Sequence, residues 1–324
     1  MPADSTCVLL AAGRGERLKP LTDRVPKPCL PLLDIPLAAW GLQALLSAGQ
    51  GQVVVVTAYR AAQVMVGLEP YAGEARFVIE EPHPYGTAGT LAALREDLGG
   101  RVLTWNADEL TDLDPSDLLA THRRLGAPAT LAVIPVGDGA DLELSGDAAS
   151  AFVDRRARPA SAGARFIGVA VFDRAVLGPL PHTRPLGLAE ALIGPLVARG
   201  EVAVHRHFGY ALDVGTPERY LQASGDLLRG AGPPPPIPYP GAIRDTGDGR
   251  YYLGPGARAA PGTLGPGAIL LASASVQPDA RVAHAIVWEA EEVPSRTLAE
   301  WTVWANGAPL IPATPREWSA PPTG

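Results

Sequence analysis

The segment Leu9–Pro31, LLAAGRGERLKPLTDRVPKPCLP, carries the densest chemistry in the chain. An apolar run ends at Leu10, and the chain then passes through Ala11, Ala12, Gly13, Arg14 and Gly15. Two glycines so placed let the backbone turn sharply and aim N–H groups at one centre, an arrangement that holds phosphate oxygens. Arg14 and Arg17 add planar, bidentate charge beside that turn. Lys27 stands between Pro26 and Pro28. Proline fixes its own φ and biases the residue before it towards an extended form, so the ammonium is expected on a stiff extended arm. The chain holds 25 arginines but only two lysines, Lys19 and Lys27. A background that so prefers guanidinium keeps an ammonium where a compact point charge is needed. The run is neither a P-loop, which needs Gly-Lys-Ser/Thr, nor the dinucleotide fingerprint, whose third glycine is missing.

Three further stretches have the right residue types. In Glu80–Thr90, EEPHPYGTAGT, Gly86 would let a flat ring approach the backbone, and the amides of Thr87 and Ala88 would read its edge. The Glu81 carboxylate accepts from two donors at once, which suits the N1–H and N2–H₂ edge of guanine. Asn106 and Asp108 close an apolar run, and Asn106 is one of only two asparagines. Asp213 is followed by Val-Gly-Thr-Pro. More than 100 residues separate Asp108 from Asp213, so only the fold can join them. The six histidines form no cluster, and there is no Cys-x-x-Cys or His-x-x-x-His. A zinc site is therefore not expected.

The elements that must position these groups are legible. Cys7–Leu10, Gln52–Thr57, Ala75–Ile79, Arg101–Asn106 and Ala129–Val136 are short apolar runs bounded by turn residues, as buried strands are. Between them Leu37–Ala48, Ala61–Val66, Thr87–Arg95 and Pro115–Leu125 read as helices. Such alternation predicts an α/β fold with a Rossmann-like, mostly parallel sheet covered on both faces, its ligands bound outside the carboxyl ends of the strands. Asp108 lies at such an end. His205 and His207 flank a further strand in a structural role, while Glu109, Asp112 and Asp114 are expected as solvated loop residues.

A proline-rich stretch, Gly230–Gly241, reads as a stiff linker. Beyond it Leu264, Leu270, Val276, Val282 and Trp288 recur every six residues, with turn residues between. One inward residue per hexad is the pattern of a three-sided parallel β-helix, and Leu253–Trp304 is long enough for roughly three coils. The expected division is residues 1–229, a linker at 230–241 and a repeat region at 242–324.

Composition narrows the class. The 324 residues carry 27 basic and 34 acidic groups, a net charge of −7, with a pI near 5.4. That balance disfavours nucleic acid and anionic membranes as partners. Cys7 and Cys29 make no disulfide framework. No signal-peptide pattern and no run of about 18 apolar residues is evident, so a cytoplasmic location is expected.

Taken with Glu80–Thr90, Leu103–Asp108 (LTWNAD) and Tyr210–Tyr220 (YALDVGTPERY), the Leu9–Pro31 segment resembles the signature of the sugar-1-phosphate nucleotidyltransferases, also called nucleotide-sugar pyrophosphorylases. The resemblance extends over essentially the whole chain, and the left-handed β-helix tail of some members makes mannose-1-phosphate guanylyltransferases the nearest kind. It implies a nucleotide site built from Leu10, Ala11, Ala12, Gly13, Arg14, Gly15, Glu81, Gly86, Thr87, Ala88 and Asn106. Lys27 and Arg17 are implied as catalytic cations, and Asp108 and Asp213 as ligands of Mg²⁺. The substrates would be an NTP, GTP by the Glu81 argument, and a sugar 1-phosphate. Many relatives carry Glu-Lys-Pro mid-domain, where this chain has Phe152–Pro159 without a lysine. Arg155, Arg156 or Arg158 would take over its grip on the sugar phosphate, with Arg156 the first choice, Gly168 facing the hexose and Glu190 contacting it. The missing lysine keeps heptose-1-phosphate guanylyltransferases and N-acetylmuramate-1-phosphate uridylyltransferases in contention. A glycosyltransferase using Asp112-Leu-Asp114, a non-catalytic nucleotide binder, and an acyltransferase using His284 are the rival classes. The tail could also mediate homo-oligomer contacts.

Overall fold

The computed structural model describes residues 5–49, 51–153, 163–181, 184–245 and 247–311. The chain divides into two compact units, residues 1–30 with 36–213, and residues 31–35 with 214–324. The units therefore part after Asp213 rather than after Arg229.

In the first unit nine strands form one sheet: β1 Ser5–Leu10, β2 Gln52–Thr57, β3 Arg76–Ile79, β4 Arg101–Asn106, β5 Ala129–Val136, β6 Leu142–Ser145, β7 Ala148–Phe152, β8 Gly163–Asp173 and β9 Val202–Arg206. Their spatial order is β3-β2-β1-β4-β8-β5-β9-β7-β6. The central strands are mostly apolar and buried because both of their faces are covered. β3, β2, β1 and β4 pair in parallel, as do β5 and β9, whereas β8 runs antiparallel between β4 and β5. The expected mostly parallel sheet is found, with β8 and the β6–β7 edge running antiparallel. Helices α1 Leu37–Ser47, α2 Ala61–Ala72, α3 Thr87–Leu94 and α4 Pro115–Leu125 connect the strands. α2 was expected to stop at Val66 but continues through Pro70 to Ala72. One apolar core joins Val8, Val54, Leu91, Val102, Leu131, Phe172 and Leu196.

In the second unit helix α5, Pro217–Arg229, begins with Thr216, whose side chain accepts from the Arg219 amide. Short strands then stack in parallel. Leu253, Leu270, Val287 and Trp304 lie in register on one side, Ala259, Val276 and Val293 on a second, and Val282 and Ala299 on a third. Along these strand registers the coils advance by 17 residues, and at the isolated Leu264–Val282 bridge by 18. This is the expected three-sided parallel β-helix with one correction. A strict hexad would need 18 residues per coil throughout, but along the strand registers one corner is a residue shorter. Val287 consequently takes the inward place. Neighbouring residues of a strand face opposite ways, and Trp288 instead packs on the ring of Tyr220, 5.7 Å between centroids. Ser273, Asp279, His284, Ala290, Arg296 and Trp301 mark successive corners, all at positive φ. The Asp34 carboxylate accepts from the Ala272 amide at 2.9 Å and the Tyr252 hydroxyl at 2.8 Å, tying segment 31–35 to the coils. Ala242–Asp245 and Ala308–Pro309 fold back antiparallel on the first and last strands of one side.

Candidate active site

The loop after β1 is gripped at its root from both sides. The Ala11 amide donates to the Val56 carbonyl at 2.8 Å and the Ala107 amide to that of Leu10 at 3.1 Å. Beyond that root Gly13, Arg14 and Arg17 are exposed, with Ala12 half-buried. Gly15 has φ +69, and a Cβ there would fall 2.9 Å from both Lys27 Cβ and Thr22 Cγ2. Thr22 Oγ1 donates to the Gly15 carbonyl at 3.0 Å. Gly15 is thus the residue that lets the lysine stem lie against the loop.

Lys27 does not stand on an extended arm. Pro26 is extended, but Lys27 opens a 3₁₀ turn, Lys27–Cys29. Pro28 is tolerated there because the first positions of a helical turn need no N–H donor. Lys27 is only 9% exposed, and its Nζ donates to Asp108 Oδ2.

Asp108 follows β4 directly. The next residues, Glu109–Thr111, pair antiparallel with Ala211–Asp213, so that Asp213 lies opposite Glu109. One ladder therefore sets Asp213 opposite the residue that follows Asp108. His207 Nε2 lies 2.8 Å from Asp112 Oδ1, and the Asp112 amide donates to the Tyr210 carbonyl at 3.2 Å. These contacts fasten the same ladder from its far end. Two expectations change here. Glu109 is buried within a strand, and Asp114 is the cap of α4, accepting from the Ser116 amide at 2.8 Å.

A cavity of about 330 Å³ is lined by Thr87, Asn106, Asp141, Phe152, Phe166 and Glu190, among others. Gly168, at φ +71, faces Asn106. Three residues singled out by sequence thus meet at one cavity with Gly168 behind them, and Glu190 is carried by a π-helical turn, Ala189–Ile193. Asp141, Phe152 and Phe166 were missed. They come from the loop before β6, from β7 and from β8, and the flexible-looking Gly137-Asp-Gly-Ala-Asp141 string gives no periodic signal. Arg155, Arg156 and Arg158 lie outside the described residues.

The turn before α3 differs most from expectation. A Cβ on Gly86 would fall 2.4 Å from the Leu186 carbonyl oxygen, so the space by this glycine is filled by protein backbone, not left for a flat ring. The Ala88 amide donates to that same carbonyl at 3.1 Å. Glu81 is exposed. The buried carboxylate is its neighbour Glu80, which accepts from the Tyr85 amide at 2.7 Å and lies against the Thr90 hydroxyl. Burial pushes the Glu80 carboxyl above its ordinary value, opposed by those hydrogen bonds.

Among the described residues no group of three or more His, Cys, Asp or Glu side chains could hold a metal ion. Two carboxylates and no soft ligand are a donor set suited to a hard cation that keeps waters or phosphate oxygens as its other ligands. No helix among them is long and apolar enough to cross a membrane.

Comparison with known proteins agrees with this architecture. The nucleotidyl transferase family matches residues 6–143. An N-acetylmuramate alpha-1-phosphate uridylyltransferase of Neisseria meningitidis is 32% identical over 67% of this chain and 95% of its own length. A mannose-1-phosphate guanylyltransferase of Mycobacterium tuberculosis is 29% identical over 90% of this chain and 82% of its own. The crystal structure of HddC from Yersinia pseudotuberculosis complexed with GMP-PN superposes with a TM-score of 0.58 at 20% identity, covering 69% of this chain and 99% of that one. The chain belongs to the nucleotidyl transferase family. It is an enzyme of the kind that joins a nucleotide to a sugar 1-phosphate.

Proposed function

We propose that the chain transfers GMP from GTP to mannose 1-phosphate, giving GDP-mannose and pyrophosphate. The observation that supports this reading is the Lys27–Asp108 contact at the end of β4, the strand whose Asn106 lines the cavity shared with Glu190. A phosphate oxygen of the sugar 1-phosphate attacks the α-phosphorus, and the bond to pyrophosphate breaks on the opposite side. No covalent enzyme intermediate is required, so catalysis is alignment and charge neutralisation. Lys27 would offset charge on the α-phosphate. Arg17 and the Gly13–Gly15 amides would hold the departing oxygens. Asp108 and Asp213 would hold Mg²⁺, which draws charge from the nucleotide phosphates when bound. Glu190 and Asp141 would accept from sugar hydroxyls, while Phe152 and Phe166 cover the ring. The cytoplasm, where nucleoside triphosphates are kept, is the proposed location. The repeat region would serve contacts between copies.

A second reading, uridylyl transfer to N-acetylmuramate 1-phosphate, is favoured by the 32% identity to the meningococcal relative and by the exposure of Glu81. Pyrophosphate release measured with four NTPs against mannose, heptose and N-acetylmuramate 1-phosphates decides between them. Turnover with GTP and mannose 1-phosphate alone is the expected result. Turnover only with UTP would replace it.

A further inference from the structure

We propose that Lys27 is a tethered occupant of the cation position at Asp108. A divalent metal then displaces it, and arrival of the metal and release of the ammonium towards the nucleotide phosphates are one exchange. The inference rests on the reading of Asp108 as a metal ligand given above.

Three observations carry it. First, the Lys27 stem lies against the loop at Gly15, while its Nζ ends on Asp108 Oδ2. The ammonium thus lies where a cation bound by that oxygen would lie. Second, the Asp108 side chain is 32% exposed against 11% for that of Lys27. The carboxylate is open to an incoming ion on a side the ammonium does not cover. Third, no set of three metal-binding side chains is found among the described residues. The protein alone thus offers a divalent ion few ligands, and phosphate oxygens must supply others.

A monovalent ammonium is a fit competitor under those conditions. It neutralises Asp108 while the site is empty of metal and yields to a divalent ion at sufficient concentration, more readily when a triphosphate supplies further ligands. Two cations on one carboxylate repel strongly in a partly dry site, so the ammonium must leave, and the closest negative charge is then the nucleotide. A lysine can make this move because its charge is compact and its stem rotates; the rigid fork of arginine cannot. That is a physical reason for one of only two lysines among 25 arginines to be kept here.

The test is Mn²⁺ binding to the full chain without nucleotide, followed by calorimetry, for the wild type, K27M, K27Q and D108N, each checked for folding by circular dichroism. The exchange predicts at least tenfold tighter Mn²⁺ binding in K27M and K27Q and loss of binding in D108N. A second readout needs no variant. In the wild type, acylation of the Lys27 amine, followed by mass spectrometry with Lys19 as internal reference, accelerates severalfold when Mg²⁺ is added. Unchanged or weaker Mn²⁺ binding in the Lys27 variants, together with unchanged Lys27 acylation, overturns the exchange. If D108N alone still loses the ion in that case, the metal-site reading stands without it. Unchanged Mn²⁺ binding in D108N instead overturns Asp108 as a ligand and the exchange with it.

Discussion

A Cβ placed on Gly168 would fall 2.7 Å from Nδ2 of Asn106, so the β8 backbone and this amide touch with no space between them. The bulge in the β8–β5 ladder between Phe166 and Ala170 is what delivers the glycine to that contact. Gly168→Ala must both enter the left-handed region, at about 1–2 kcal/mol, and push Asn106 aside. Denaturant unfolding should show a loss on the order of 1–3 kcal/mol. Steady-state kinetics should show KM for the sugar phosphate raised more than KM for the nucleotide.

Lys27→Ala should lower kcat about a hundredfold or more, the scale of losing one charge-stabilising donor, ~2.7–4 kcal/mol. Its circular dichroism should match the wild type. Near-normal turnover in a pyrophosphate-release assay would refute the assignment of Lys27.

Glu80 gives a pH prediction. Burial raises its carboxyl pKa in the folded chain. A raised value means that the folded state holds the proton more tightly than the unfolded one. The resulting stability is fully present below the ordinary carboxylate pKa and is lost as pH rises through the folded value. The Thr90 hydroxyl faces both Glu80 Oε1 and the Gly86 carbonyl and has one proton to give. A protonated Glu80 can donate to Thr90 and free that proton for Gly86. Glu80→Gln copies the protonated form, with its oxygen left for the Tyr85 amide. Melting temperatures from pH 4 to 7 should fall for the wild type relative to this variant as pH rises. Parallel curves would remove Glu80 as the titrating group.

In the second unit Asp34→Ala removes the acceptor of the Ala272 amide and the Tyr252 hydroxyl. Leaving a buried donor unsatisfied costs about 1–3 kcal/mol. Urea unfolding should show a loss of that size, and Tyr252→Phe added to it should cost less than it does alone, because the two share one contact.

The sequence predicts strands and helices of the first unit well wherever apolar residues run unbroken. α4 is found with the expected bounds, and β2, β4 and β5 likewise. It is silent on β6 and β7, whose short, half-polar strands leave no period to read. That Asp213 comes to lie opposite Glu109, the residue after Asp108, could not be read from the sequence, since a two-strand ladder of only three residues each makes the pairing. Glu81 and Glu80 show the limit. Adjacent identical residues cannot be told apart by type, and only the hydrogen bonds of Tyr85 and Thr90 select Glu80 as the buried one. The hexad count failed at Trp288 for a similar reason. Periodicity fixes the side of a prism, but a corner shorter by one residue hands the inward place to its neighbour.

The two fold-back strands, Ala242–Asp245 and Ala308–Pro309, occupy both ends of one side of the coiled stack. Each closes a hydrogen-bonding edge that would otherwise template another chain, and proline in the last of them removes a donor from that edge. End-to-end strand addition is therefore blocked on that side.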